Sequence, residues 1–333
     1  MKHVVVSGEL DAAEIRPETL FSEFRQLSIE EAARFFSDPG ELVEVACPAC
    51  ASEHKTAVFE KQGFQYQRCE QCRSVFVSPR PTAEALARYY RESRASQFRF
   101  EHFERRTSQA RRISILRSHA GWLGRLVAEA GNHQARAYAD MGTNYPVLFE
   151  EIAGLNWFEK LYSADPLPQF DEACRASGAE VRREPLSGLG AVSAFEQIEH
   201  QFSPEAMLVS AREMLAEGGM VFLTTRTISG FDLQVLWDKA PYIYVPEHMN
   251  LLSIDGIQAL MDRVGFEEVE LSTPGQLDVQ LVQLALQEDP SIHLPSFLAY
   301  MLKHRGRETT NEFQEFLQKH RLSSHIRVAA IKR

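Results

Sequence analysis

Short apolar runs alternate with amphipathic segments through the second half of the chain. The apolar runs predict strands at 136–141, within 157–164, and at 179–182, 190–195, 220–225 and 266–271. Helices are predicted between them at 169–177, from Ser203 to the glycine pair at 218–219, and at 255–264. Strands regularly separated by helices form a parallel sheet that is covered on both faces. The sequence therefore predicts an α/β fold with a Rossmann-like sheet and helices on both faces.

The remainder of the chain carries shorter elements. Its pattern predicts helices over 27–36, 82–90, 296–304 and 310–320, a strand over 75–77, and a final strand over 326–331 at a sheet edge. Thr82 is the expected N-cap of the second of these helices. We divide the chain into an arm (1–44), a ribbon (45–80), a helical connector (81–130), the sheet domain (131–288) and a C-terminal unit of helices and a strand (289–333).

Four of the five cysteines form two close pairs, and these pairs predict a metal site. Two CxxC pairs separated by 18 residues match structural zinc spacing, because each tight turn offers two thiolates. We predict a small zinc ribbon with a fully protein-ligated, structural ion held by Cys47, Cys50, Cys69 and Cys72. Four free thiols, or iron in place of zinc, are the alternatives. Cys174 stands alone and is expected to be a small buried apolar residue.

The most basic segment, 96–118, mixes three phenylalanines with six arginines. Such a helix can stack on and neutralise a nucleic acid or a phosphorylated substrate. The same composition also describes an amphipathic helix with an aromatic inner stripe and a solvated outer face, which we favour. The formal net charge of -10 disfavours a general nucleic-acid binder, because phosphate binding needs a basic surface.

The composition is that of a chain with a sizeable core, at 44% hydrophobic residues. No run is long and apolar enough to predict a membrane span. The first ten residues turn acidic too early for a secretory signal. Together with paired cysteines typical of a reducing compartment, this predicts a cytoplasmic location. The oligomeric state is left open.

Two stretches resemble class I S-adenosylmethionine-dependent methyltransferases. They are Ala194-Phe195-Glu196-Gln197-Ile198-Glu199-His200 and the run from Leu215 to Thr225, with further similarity at 246–253, 265–266 and 273–282. A zinc ribbon joined to such a domain is similar to a bacterial subgroup associated with sugars and polysaccharide biosynthesis. The resemblance spans residues 45–288 and implies a Rossmann-like methyltransferase sheet. It also implies an acceptor that is a sugar, a nucleotide-sugar or a small metabolite.

The resemblance also implies where S-adenosylmethionine binds. Its methionine end would lie against the loop after the first strand, where a glycine allows close backbone approach. Asp165 matches the acid that accepts hydrogen bonds from both ribose hydroxyls, although it could instead cap the next helix. The implied cofactor-binding residues are Asp140, Gly142, Asn144, Asp165 and Glu196.

Methyl transfer to oxygen or carbon also requires a base. His200 follows the fourth strand and His248 lies beyond the fifth, at the strand ends where such sheets bind ligands. We take these two as the catalytic candidates, with structural histidines as the alternative; Glu196 and Tyr244 are weaker candidates. Tyr242 and Tyr244 either line a substrate mouth or belong to the core.

The sequence departs from the family pattern on what we expect to be the cofactor side. The first loop reads Asp140-Met141-Gly142-Thr143-Asn144-Tyr145-Pro146, where the family usually has Asp-x-Gly-x-Gly-x-Gly. Gly190 stands where an aspartate commonly opens the fourth strand, and Glu184 is the substitute for an adenine-contacting acid. Such changes are those expected if cofactor binding has weakened.

Three functions follow as hypotheses. The first is a methyltransferase acting on a sugar or small metabolite. The second is a non-catalytic binding or scaffold protein that kept the fold and lost the cofactor. The third is an RNA methyltransferase that holds RNA with the ribbon and the arginine-rich segment, which the net charge disfavours.

Overall fold

The computed structural model describes residue 10, residues 12–131 and residues 135–333. Residues 1–9 and 11 of the predicted arm and residues 132–134 near the start of the predicted sheet domain lie outside this part of the chain. The described strands are β1 Leu42–Val43, β2 Lys55–Lys61, β3 Phe64–Cys69, β4 Val75–Val77, β5 Arg80–Pro81, β6 Ala137–Met141, β7 Lys160–Ala164, β8 Glu180–Arg182, β9 Leu189–Phe195, β10 Leu215–Arg226, β11 Asn250–Leu251, β12 Phe266–Ser272 and β13 His325–Lys332.

The described helices lie between and around these strands. They are α1 Ala12–Ile15, α2 Glu18–Phe35, α3 Ala83–Glu92, α4 Arg94–Phe98, α5 Arg105–Arg111, α6 Arg117–Ala130, α7 Leu148–Ala153, α8 Asp171–Ala176, α9 Pro204–Met214, α10 Phe231–Leu236, α11 Ile254–Val264, α12 Asp278–Glu288, α13 Ser296–His304 and α14 Arg307–Lys319. Two π-helical turns, Arg99–Glu104 and Arg112–Leu116, join α4, α5 and α6. None of the described helices is long and apolar enough to cross a membrane.

The seven-stranded sheet has the order β12-β13-β10-β9-β6-β7-β8. Strands β6 to β10 are parallel, and β13 runs antiparallel to both of its neighbours. The chain goes from β6 to β7 and β8 on one side and then returns to β9 and β10 on the other. This reversal places a crevice at the carboxyl ends of β6 and β9. The predicted Rossmann-like sheet is confirmed.

Helices cover both faces of this sheet, as the alternation predicted. On one face Val192 and Ala194 of β9 belong to a core with residues of α9 and α11. On the other face Ala191 packs with residues of α6 and α7. Because successive strand residues point to opposite faces, a strand buried on both sides reads as a continuous apolar run. This explains the apolar stretch from Leu189 to Phe195.

The prediction of β13 as an edge strand was wrong. It lies between β10 and β12, with Val221 opposite Ala330 and Leu271 opposite Val328. Ile326, Val328, Ala329 and Ala330 are almost fully buried, which an edge strand facing solvent would not allow. The end of the chain is therefore part of the main sheet.

Strand β10 also begins earlier than predicted. Helix α9 has the predicted Ser203 cap, whose Oγ accepts from the Ala206 amide, but it ends at Met214. Leu215 is buried and pairs with Leu189, and a register irregularity follows before Met220 pairs with Ala191. The glycine pair therefore lies within an irregular part of β10 and not at the end of the helix.

The ribbon forms a second sheet in the order β11-β4-β3-β2. One edge strand of this second sheet, β11, comes from the sheet domain and pairs antiparallel with β4. Ser253, which follows β11, donates to the Cys72 carbonyl, and its amide donates to Ser74 Oγ over 3.0 Å. Arg263 of α11 donates to the Ala49 carbonyl at 2.7 Å. The ribbon is thus bonded directly to the segment between β10 and β12.

Candidate functional site

A cavity of about 560 Å³ lies at the carboxyl ends of β6, β7 and β9. This is where open α/β sheets bind ligands. We call it the first cavity; α3 and the helical segment from α4 onwards lie across it. Of the predicted site residues, it brings together Gly142, Asn144, Asp165 and His200.

Gly142 opens the loop at the bottom of this cavity with a φ of +62°. Gln197 lies against it and donates from Nε2 to the Gly142 carbonyl at 2.8 Å. A Cβ added at Gly142 would overlap Gln197 Oε1 and lie 2.8 Å from Gln197 Cδ. The positive φ therefore favours glycine here, and an added Cβ would also require the end of the Gln197 side chain to shift. Our reading of the sequence missed Gln197, although it stands within the stretch that carries the family resemblance.

Asp165 follows β7 with its side chain exposed into the first cavity. Its amide donates to the Arg182 carbonyl at 2.8 Å, which fixes the backbone at this point. The next helical turn is capped at Leu167 and α8 at Phe170, so Asp165 does not cap either. Within the described residues its carboxylate accepts no side-chain hydrogen bond and is free to bind a ligand.

Two of the predicted cofactor residues lie outside the lining of the first cavity. Asp140 is buried at the end of β6 and accepts from Ser193 Oγ, which also shares a hydrogen bond of 2.6 Å with the Tyr138 hydroxyl. Burial raises the pKa of Asp140 to about 7. From this position Asp140 can support the backbone of the loop after β6. Glu196 faces away from the first cavity, and its Oε1 lies 3.4 Å from His325 Nδ1.

A buried polar cluster lies beside His200. Arg99 donates from Nε to Glu104 at 2.7 Å and from Nη1 to Glu247 at 2.9 Å. His200 Nδ1 is 3.8 Å from the same Glu247 carboxylate. Burial lowers the pKa of His200 although Glu247 opposes this shift. A neutral imidazole at the cavity wall can accept a proton from a bound acceptor.

The second catalytic candidate, His248, lies next to His200 but does not line the first cavity. The two ring centroids are 6.4 Å apart. The amide of His248 donates to Tyr244, and its carbonyl accepts from the Tyr66 hydroxyl of the ribbon at 2.9 Å. Burial lowers the pKa of His248 well below its usual value. Its contacts are those of a residue that joins the ribbon to the sheet domain.

The two tyrosines of this region belong to the core. Tyr242 is buried, and its hydroxyl donates to Asp232 at 2.6 Å. Tyr244 is also buried and packs edge-on against Phe24. The structure therefore favours the core alternative over a substrate mouth.

The arginines of the basic segment do not form one solvated face. Arg105 and Arg106 are exposed, as expected. Arg99 joins the buried cluster, Arg111 lies 5.0 Å from the Tyr145 ring centroid, and Arg112 pairs with Glu150 at 2.6 Å. We predicted an amphipathic helix but not that some of its arginines would be half-buried on its inner side. Charge pairs within the protein produce no periodic pattern in the sequence.

The expectation that Gly190 lies on the cofactor side was wrong. It is at the amino end of β9, whereas the first cavity is at the carboxyl ends of the same parallel strands. A Cβ at this position would overlap the carbonyl oxygen of Ala135. Packing therefore explains this glycine. Glu184 is exposed, lies 3.9 Å from Arg182 and does not line the first cavity.

The four paired cysteines bring their sulfurs within 4.8 Å of one another. Cys47 and Cys72 are 3.5 Å apart, as are Cys50 and Cys69. Four thiolates around a tetrahedral zinc at the usual Zn–S length stand about 3.8 Å apart. The arrangement fits such an ion and leaves no position for a substrate. Cys174 is buried apart from them, with its thiol 3.4 Å from Ser163 Oγ.

Comparison with known proteins agrees with this fold. Residues 120–271 match a family model described as a methyltransferase domain. No curated protein matches. The match supports the methyltransferase part of the resemblance, whereas the sugar-associated subgroup stays a prediction.

Several solved structures are similar to this chain at low identity. A SAM-dependent methyltransferase of Thermotoga maritima is 15% identical over 70% of this chain and 99% of its own, with a TM-score of 0.39. Magnesium protoporphyrin IX methyltransferase of Synechocystis PCC 6803 with bound SAH is 9% identical over 68% of this chain and 85% of its own, with a TM-score of 0.41. The cyclopropane synthase MmaA2 of Mycobacterium tuberculosis is 13% identical over 63% of this chain and 82% of its own, with a TM-score of 0.38.

Proposed function

We propose that this protein is a cytoplasmic methyltransferase that transfers a methyl group from S-adenosylmethionine to a sugar, a nucleotide-sugar or a related small metabolite. One observation carries the proposal. Gly142, Asn144, Asp165 and His200, which lie far apart in the sequence, surround a single cavity at the point where the strand order reverses. The methyltransferase-domain match over 120–271 supports the same cofactor.

The residues present fit S-adenosylmethionine. The free carboxylate of Asp165 can accept a hydrogen bond from each of the two ribose hydroxyls. Hydrogen bonds to an ionised acceptor are stronger than those between neutral groups. Leu167 and Phe170 lie close to Asp165 in the cavity wall and offer apolar surface for the adenine ring of the cofactor. Gly142 lets the backbone of the loop approach the methionine end closely. Asn144, which lines the same cavity, adds an amide that can donate and accept.

When bound, the cofactor supplies an electrophilic methyl group. In this proposal His200 would take the proton that leaves the acceptor hydroxyl as that oxygen displaces the cofactor's sulfur from the methyl group, and the sulfur would keep the electron pair of the broken bond. Glu247, held by Arg99, stabilises the imidazolium that results.

The thiol cluster is proposed to hold a structural zinc ion. All four positions around the ion would be taken by Cys47, Cys50, Cys69 and Cys72, so it would not bind substrate. Its role would be to fold the ribbon, whose β4 pairs with β11 just after Glu247 and His248.

Of the two rival functions, the non-catalytic one has a structural observation behind it. Gln197 lies directly on Gly142, where the loop would meet the cofactor, and Pro146 has no amide to donate. RNA binding gains no such support, because Arg99, Arg111 and Arg112 of the basic segment are engaged within the protein.

Methyl transfer from labelled S-adenosylmethionine to matched panels of sugars, nucleotide-sugars and RNA tests the proposal. We expect label in a sugar or nucleotide-sugar and none in RNA. His200→Asn should lower the turnover at saturating cofactor by about 100-fold or more, because a general base is lost, and leave cofactor binding unchanged. His102→Asn, on the exposed side of the helical segment, is the matched control. Label in RNA, or full turnover by His200→Asn, would contradict the proposal.

A further inference from the structure

A second cavity of about 140 Å³ lies on the other side of the loop after β6. Neighbouring residues face the two cavities. Asn144 lines the first and Tyr145 the second, and Gln197 lines the first while Glu196 lines the second. The second cavity is formed at the carboxyl ends of β9 and β10 and at the beginning of β13. It is therefore adjacent to the proposed cofactor site, on the side of the sheet away from Asp165.

Basic side chains dominate the lining of this second cavity. They come from five different parts of the chain and comprise Arg16, Arg111, Arg226, Arg327, His119 and His325. Among the residues that the structure describes, two acids line it, Glu196 and Asp278. Asp278 is already occupied, because it accepts from Ser323, from the Ser324 amide and from Gln314 at 2.6 to 2.7 Å. Burial lowers the pKa of both His119 and His325, so the positive charge comes from the four arginines. In a chain of net charge -10, this is a local excess of positive charge.

Several of these polar groups lack a hydrogen-bond partner. Among the described residues, Arg16 Nη1, Arg327 Nε and both ring nitrogens of His119 are buried without a hydrogen-bond partner. Arg327 is 6% exposed and His119 2% exposed. Buried donors without partners are rare in folded proteins because each loses its hydration without replacement.

The arginines also repel one another. Burial, together with the smaller effects of Arg226 and Arg111, lowers the pKa of Arg16 to about 10. Burial acts to lower the pKa of Arg226, but Asp232, 3.5 Å away, outweighs it, so the pKa of Arg226 is raised and this arginine has a counter-charge. An anion in the cavity would supply the missing acceptor and relieve this repulsion.

We propose that the second cavity binds the acid group, a carboxylate or a phosphate, of the methyl acceptor. The acceptor role rests on the proposed methyltransferase function; the preference for an anion rests on the cavity alone. A cavity of about 150 Å³ holds a molecule the size of benzene. The second cavity thus admits an acid group with a few neighbouring atoms, and the rest of the acceptor would lie outside it. This narrows the proposed acceptors to those that carry a carboxylate or a phosphate.

Binding of small anions without the cofactor tests this inference. The full-length, zinc-loaded protein is titrated calorimetrically with inorganic phosphate and with acetate, with chloride keeping the ionic strength constant. We expect one of the two to bind with a millimolar or lower dissociation constant. Arg16→Gln and Arg327→Gln should each weaken binding about ten-fold, because each removes a charged donor. Arg25→Gln replaces an equally half-buried arginine of α2 that does not line the cavity, and should bind like the wild type.

Circular dichroism first establishes that each variant is folded. If Arg327→Gln, in the centre of the sheet, does not fold, Arg16→Gln decides the result. Absence of binding of both anions at about 10 mM, or wild-type affinity in Arg16→Gln, overturns the inference. Anion binding that depends on Arg16 in a protein that does not bind S-adenosylmethionine would uphold the anion site and remove the methyltransferase function. The two proposals can therefore fail separately.

Discussion

Cys69→Ser is expected to release the metal and destabilise the whole chain. Cys69 is fully buried, and its sulfur lies 3.5 Å from Cys50 and accepts from the Cys72 amide at the same distance. Loss of one ligand from a four-thiolate site removes most of the binding free energy, which in such ribbons is also folding free energy. The effect should spread because Ser253 and Arg263 of the sheet domain bond to the ribbon backbone.

The change can be measured as metal content and as the melting temperature. We expect about one zinc per wild-type chain, little or none in Cys69→Ser, and a melting temperature lower by about 10 °C or more. Cys174→Ser replaces a buried thiol outside the cluster and should keep its zinc. A wild-type protein that carries no metal after expression in zinc, or a Cys69→Ser protein as stable as the wild type, would show that the four thiols are only a small core.

Gly142→Ala is expected to abolish cofactor binding at micromolar concentration. The new Cβ would overlap Gln197, and alanine would have to hold a φ of +62°. A left-handed conformation costs a non-glycine residue about 1–3 kcal/mol. We expect the loop and Gln197 to move into the first cavity, with at least about ten-fold weaker binding of S-adenosylmethionine.

Gly188→Ala separates backbone strain from the steric effect. Gly188 has a φ of +72° but has no atom within 4 Å of an added Cβ. The Gly188→Ala protein should lose about as much stability as the Gly142→Ala protein and bind the cofactor like the wild type. The double variant Gly142→Ala with Gln197→Ala removes the overlap and should recover part of the binding. If Gly142→Ala binds the cofactor as the wild type does, the loop after β6 is not the cofactor loop.

The sheet could be predicted from the sequence because its strands are buried on both faces and are therefore continuously apolar. The positions of Asp165 and His200 followed from the same pattern, since Asp165 stands directly after β7 and His200 five residues after the end of β9. The clustering of the four paired cysteines could be predicted because a tetrahedral ion would impose a short, fixed spacing on its ligands, whereas the zinc itself stays a prediction.

Other features have no local signal. The interior position of β13 depends on pairing between the end of the chain and a strand about a hundred residues earlier, Met220 with Ile331 for example. The contact between Gln197 and Gly142 spans 55 residues and leaves no periodic trace. The basic second cavity combines arginines from the first helices, the middle of the chain and the last strand. Each of them alone reads as an ordinary surface or helix residue.

Calorimetric titration of the zinc-loaded protein with S-adenosylmethionine and with its demethylated product tests the central claim most directly. We expect micromolar binding of both, and Asp165→Ala should weaken it by at least about ten-fold, because two hydrogen bonds to a carboxylate are lost. Glu184→Ala, an exposed acid outside the first cavity, is the control and should bind normally. No heat and no thermal shift with either ligand at about 1 mM would contradict the claim and leave a methyltransferase fold reused for binding other partners.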